Sequence, residues 1–191
     1  MPKRLLNVQG QVFLKSPGEP VRYSALSYCW GGHNQHQTVA SNVAARHEHI
    51  DTSTLPQTLK DAIRFTRKLG VEYIWIDSLC IVQDDRDEWA REAAKMADVY
   101  SGAFVVLAAT RAQAATEGFL QPYREPYVIT SQLSAKQVFK VQARYDQEHQ
   151  YCGSLHLEHL PLSQRGWCLQ EQMLASRIIH FLPAEIFYKC K

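Results

Sequence analysis

A chain of 191 residues with 46% hydrophobic content can bury one substantial core, and nothing in it forces a second domain. Its 21 Lys and Arg against 19 Asp and Glu leave a net charge of +2, too small and too dispersed for a nucleic-acid or anionic-membrane footprint. No apolar run reaches the ~18 residues that cross a bilayer, and Met1-Pro2-Lys3-Arg4 lacks the apolar stretch of a secretory signal, so a soluble protein without membrane or nucleic-acid partners is expected.

Residues 23–30 (YSALSYCW) are apolar and aromatic and are stopped by Gly31-Gly32, which reads as a buried strand opening into a loop that needs backbone freedom. Residues 33–51 are polar, rich in His, Asn and Gln, and without clear period. A loop with at most a short strand is expected there, leaving that sheet edge open. Leu55, Leu59, Ala62, Ile63, Thr66 and Leu69 then recur at helical spacing, with Ser53 or Thr54 as cap, Pro56 in the first turn and Gly70 as stop. The spacing predicts a helix over 55–69.

Residues 71–77 (VEYIWID) are short, β-branched and aromatic, as in a buried parallel strand, and this places Asp77 at the rim of the sheet. Asp84, Asp85, Asp87 and Glu88 favour a helix start, and Trp89, Ala93, Met96 and Tyr100 are its expected core face. After Gly102, residues 104–109 (FVVLAA) read as a third buried strand. The alternation of strand and helix argues for an α/β class with an open, mostly parallel sheet flanked by helices.

Residues 110–160 break that rhythm. Pro122, Pro126 and alternating stretches such as Val138-Phe139-Lys140-Val141 mark an inserted, hairpin-bearing excursion. Ser163 reads as the cap of a last helix running to Ala175, and two strand-like runs follow, 177–182 and 185–188, separated by Pro183-Ala184. The chain stops at Lys191 directly after a strand-like run, so the expectation is a single domain, 1–191, taken from a longer protein.

Three segments carry a family resemblance. Ala25-Leu26-Ser27-Tyr28-Cys29-Trp30-Gly31, then Tyr73-Ile74-Trp75-Ile76-Asp77-Ser78-Leu79-Cys80-Ile81 with Gln83-Asp84-Asp85, then Arg165-Gly166-Trp167-Cys168-Leu169-Gln170-Glu171 resemble, in order, the motif blocks of the heterokaryon incompatibility (HET) domain. Leu55-Pro56, Asp61-Ala62-Ile63, Met96, Tyr100 and Ala103 also fit that pattern. Near the end the family shows a Trp two residues before the last Cys, where this chain has Tyr188.

The resemblance implies a fungal protein of self/non-self recognition whose domain executes a cell-death response. It also implies a TIR-like, flavodoxin-like sheet, because HET domains are similar to TIR domains. Enzymatic TIR domains remove nicotinamide from NAD with the glutamate of a W-C-x-x-E helix, which here reads Trp167-Cys168-Leu169-Gln170-Glu171. The implied catalytic residue is therefore Glu171, and NAD is a substrate, not a bound cofactor. Ser27, Trp30, Gly31, Gly32, Asp77, Arg165 and Trp167 are the implied substrate-side residues, and self-association and other incompatibility or immune-receptor proteins are the implied partners.

The chemistry suits one carboxylate. Cleavage of an N-glycosidic bond to nicotinamide passes through an oxocarbenium-like sugar, and the cationic leaving group needs no general acid. Glu171 lies four residues after Trp167, so both share one helical face. A helical Glu is more often a solvated flank, and Arg165 or Arg177 could pair with it. Asp77 could cap a turn, the tryptophans could be core, and a lone Gly pair usually marks a turn.

A scaffold that signals by association alone is the alternative to the enzyme. Close histidine pairs, His33 and His36, His47 and His49, His156 and His159, with Cys29 and Cys152 near two of them, raise a zinc site, but no second ligand half is recognisable and no metal is expected. Five cysteines, odd in number and without a C-x-x-C pair, suit a reducing cytoplasm, and Cys80 and Cys168 lack an evident base that would make them nucleophiles.

Overall fold

A computed structural model describes residues 1–32, 36–120, 127–134, 137–143, 159–183 and 185–191. The chain opens with an antiparallel hairpin, β1 (Leu5–Asn7) and β2 (Phe13–Lys15), turned at Gly10 with φ +68°. β3 (Tyr23–Ser27) follows and is buried throughout. Next come α1 (Val43–Glu48), α2 (Gln57–Lys68), β4 (Tyr73–Trp75) and the short α3 (Asp77–Cys80). After these stand α4 (Arg86–Ala93), α5 (Met96–Gly102) and β5 (Val105–Ala108). A separate hairpin, β6 (Tyr127–Ser134) and β7 (Gln137–Ala143), precedes α6 (Gly166–Leu174), β8 (Arg177–Phe181) and β9 (Ile186–Cys190).

β3 is parallel to both β4 and β5, and β5 is parallel to β8, so four central strands run together in the order β4-β3-β5-β8. That is the 2-1-3-4 order of a doubly wound sheet, and its switch point lies between β3 and β5. The margins are antiparallel: β1 and β2 extend the sheet beyond β4, and β9 extends it beyond β8.

Strand alternation sorts the two faces. Ser24 Oγ lies 2.8 Å from Thr66 Oγ1, and Phe65 meets Phe181 edge-on, which puts α2 against one face. On the other face Tyr23 donates to the Val99 carbonyl at 2.7 Å and Trp75 meets Tyr100 edge-on, which places α5 there. Ser27 shares the face of Tyr23, so α6, whose Glu171 it contacts, lies beside α5.

The loop after β5 is anchored by α2. Asp61 Oδ2 accepts from the backbone amides of Phe119 and Leu120 at 2.8 and 3.0 Å, and Gln57 donates to Oδ1. Gly118 permits this approach, because an added Cβ would stand 2.7 Å from Asp61 Oδ2.

Several elements depart from the expectation. The first strand ends at Ser27 rather than Trp30, and β4 ends at Trp75, with Asp77 opening α3. The polar stretch contains α1, and Thr38 bridges Val82; the sheet edge is covered by β1 and β2 rather than left open. The second helix is two, α4 and α5, and Trp89 is exposed.

α4 instead turns Glu88 and Glu92 inward, where Lys3, Arg4 and Lys95 pair with them. Cations waiting there offset the cost of an inward carboxylate, and the amino-terminal segment supplies two of them. Ser163 does not cap a helix; it lies inside a single turn, Pro161–Gln164, and Arg165 occupies the cap position of α6. The excursion does carry a hairpin, β6-β7, while Pro122 and Pro126 lie outside the described residues.

Candidate functional site

The sheet gathers Ser27, Ala108 and His180 into one row, because Ser27 is in register with Ala108 and Ala108 with His180. This row lies at the carboxyl ends of the parallel strands. α6 closes over it: Cys168, Glu171 and Ala175 are buried at helical spacing, so Glu171 occupies a position that would ordinarily be apolar. Ser27 Oγ donates to Glu171 Oε2. Burial pushes the Glu171 carboxyl up; hydrogen bonding from Ser27 and the positive charge of Arg165 act the other way.

Asp77 sits at the end of the neighbouring strand. Its Oδ1 accepts from the Ser78 amide at 2.7 Å and its Oδ2 from Trp30 Nε1 at 2.8 Å. Tyr28 and Ser78 hydroxyls meet at 2.8 Å, so the segments after β3 and β4 are cross-linked twice. Burial, then the negative charge of Glu171, pushes the Asp77 carboxyl up to about 6, against the Ser78, Trp30 and Arg165 contacts that favour its charged form. The Glu171 charge thus raises the cost of ionising Asp77.

A cavity of about 610 Å³ opens beside this pair, within the range of small-ligand sites. Trp30 and Gly31 from the loop after β3, Gln113 from the loop after β5, and Gln164 and Arg165 from the entry to α6 line it, together with His159. Arg165 belongs to both places. It faces the cavity, donates to the Tyr28 carbonyl, and its charge acts on Asp77 and Glu171.

Gly31 has φ +79°, and a Cβ there would stand 2.7 Å from Ala114 Cβ; no other residue fits without displacing that loop. Gly32 is exposed with open space about it and carries no such constraint.

The expected residues therefore fall into two groups. Ser27 and Glu171 form a buried polar pair, with half-buried Asp77 beside it, none of them in the described lining, and Trp30, Gly31 and Arg165 line the cavity. Gly32 joins neither. Trp167 is on α6, but its side chain lies outside the described residues. Tyr100, which donates to the Leu26 carbonyl at 3.3 Å and also contacts Glu171, was expected only as core. His180, buried and 3.1 Å from Thr110 Oγ1, carries no sequence signal, because a single polar residue in an alternating strand does not stand out.

Among the described residues no three His, Cys, Asp or Glu side chains are grouped to hold a metal ion. His33, Cys152 and His156 lie outside those residues. Burial pushes the Cys80 and Cys168 thiols up to about 12, as suits packing groups rather than nucleophiles. No described helix is long and apolar enough to cross a membrane.

The chain is 36% identical to Heterokaryon incompatibility protein 6, OR allele, of Neurospora crassa over 95 aligned residues, covering 46% of this chain and 14% of that relative. It therefore spans a small part of the relative's length. No solved structure matches it. The model of the family described as Heterokaryon incompatibility protein (HET) matches residues 23–171, from the first residue of β3 to the buried glutamate of α6. That stretch is well over half of the chain and takes in all three motif blocks, and the chain belongs to the HET family.

Proposed function

We propose that this chain is the effector domain of an incompatibility-type cell-death response, and that it hydrolyses the nicotinamide N-glycosidic bond of NAD when copies associate. The observation that carries this reading is the Glu171 carboxyl. It is buried at the carboxyl ends of the parallel strands, positioned by Ser27, and joined through Arg165 to a cavity of ligand size. The resemblance to TIR domains supports it from the W-C-x-x-E sequence.

In the reaction, the bond between the ribose anomeric carbon and the pyridinium nitrogen breaks, and its electron pair leaves with nicotinamide. Water adds to that carbon and gives up a proton, forming ADP-ribose. Glu171, in its carboxylate form, stabilises the developing positive sugar, and Asp77 holds Trp30 by its indole NH. Exposed Met173, Ile186 and Tyr188 offer apolar surface for association.

The scaffold reading rests on one observation: Glu171 makes its hydrogen bond to core Ser27 and is absent from the described cavity lining, as a packing residue would be. An NAD consumption assay on concentrated or artificially clustered protein separates the two. The wild-type chain is expected to deplete NAD, and Glu171→Gln to lose about a hundredfold or more of that rate with an unchanged melting temperature. No depletion under enforced clustering overturns the enzymatic reading and leaves the scaffold.

A further inference from the structure

We infer that the cavity beside Trp30 is a nucleotide site in which Arg165 contacts phosphate, so that the ligand class is a phosphorylated nucleoside and not a free one. The inference deepens the reading above and rests on it for the nucleoside part; the phosphate part comes from the cavity itself.

Three observations converge. The cavity lies at the switch point, bounded by the loops that leave β3 and β5 and by the entry to α6. Ligands of doubly wound sheets bind in that crevice. Within the described lining, Arg165 is the one side chain that is charged at every physiological pH, and none is Asp or Glu. An anion there meets a cation without an opposing carboxylate at the wall.

Arg165 is also prepared for the task. Its Nη1 donates to the Tyr28 carbonyl and its side chain also contacts Cys29, which restrains the guanidinium, and of its five N–H donors others remain. No ion pair to Arg165 occurs among the described residues. Fork geometry of this kind matches phosphate oxygens in pairs.

Trp30 supplies the other half. Its indole is half-buried and fixed by Nε1 donation to Asp77 Oδ2, so one ring edge is committed and the ring is held as a platform. Gln113 and Gln164 stand exposed at the same cavity and bring amide groups suited to sugar hydroxyls.

Calorimetric titration of the full chain and of its Glu171→Gln form with ADP and with adenosine tests this. ADP is expected to bind at least about tenfold more tightly than adenosine, with the preference shrinking as salt is raised. Arg165→Gln is expected to erase the preference, and Arg165→Lys to keep part of it. Trp30→Phe is expected to weaken both ligands far less than Trp30→Ala does.

Equal binding of ADP and adenosine, a preference that survives in Arg165→Gln, or no binding of either at millimolar concentration overturns the inference. If Arg165→Gln proves unfolded by circular dichroism, the Arg165→Lys variant and the salt dependence decide. NAD depletion without Arg165-dependent ADP binding sinks the nucleotide site and spares the hydrolase. Arg165-dependent ADP binding without NAD depletion does the reverse.

Discussion

Trp30 Nε1 and Asp77 Oδ2 lie 2.8 Å apart, joining an indole at the cavity to a carboxyl that burial and Glu171 push up to about 6. The hydrogen bond accepts best when Asp77 is ionised. The Trp30 indole NH resonance is therefore expected to move with a midpoint near pH 6, and Asp77→Asn to remove that titration. A flat indole signal between pH 5 and 7 would show that the carboxyl does not titrate there.

The same group shapes acid stability. Its folded pKa lies above the unfolded value of about 3.9, so its stabilising contribution is complete below that pH and is lost as pH rises through about 6. Chemical denaturation at pH 4.5 and 7 is expected to show a smaller loss of stability on acidification in the wild type than in Asp77→Asn.

His180 works in the opposite direction. Burial, then the charge of Lys189, pushes it down to about 4, below the unfolded value of about 6.5. The unfolded chain binds the extra proton between these limits, so this contribution is present above pH 6.5 and is lost toward pH 4. His180→Leu is expected to flatten that limb of the stability profile, by up to about 3 kcal/mol.

Arg4 and Glu88 form a buried pair, and Arg4 Nε also donates to the Cys80 carbonyl at 2.9 Å. Glu88→Ala strands the guanidinium and is expected to cost about 3–5 kcal/mol in urea unfolding. The double replacement Arg4→Met, Glu88→Leu is expected to recover most of that loss. A single-variant cost below about 1 kcal/mol would mean that the pair is effectively solvated.

Gly31→Ala combines a φ of +79° with a Cβ placed 2.7 Å from Ala114 Cβ. A loss of about 1–3 kcal/mol is expected, together with weaker ADP binding as the cavity wall shifts. Gly32→Ala, with open space around it, is the neutral comparison.

Much of the parallel core was legible because its strands are short apolar runs punctuated by glycine, as at residues 23–27 and 105–108. The helical period of Leu59, Ala62, Ile63 and Thr66 gave α2 almost to its ends. α4 departs from its periodicity, which assigns the inward face to Trp89, because buried Arg4 and half-exposed Lys3 pair with Glu88, and Lys95 pairs with Glu92. The Glu88 pairs join residues more than eighty positions apart and leave no local trace.

The site divides likewise. Trp30, Gly31 and Arg165 could be named from motif blocks and do line one cavity. That Ser27 and Glu171 would bond to each other depends on strand register and on which face α6 covers, and neither is written in spacing alone. His180 becomes visible only once β8 is known to lie two strands from β3.

The pair formed by Arg4 and Glu88 also ties the segment ahead of the family match to α4. The family match starts at Tyr23, yet a fragment cut there would lose β1 and β2 and leave Glu88 without its guanidinium. Arg4 holds the Cys80 carbonyl at the end of α3, whose first residue is Asp77, so trimming the amino terminus would slacken the acid that steadies Trp30. The first residues thus support the site through the contacts of Arg4 with Glu88 and Cys80 rather than by lining the cavity.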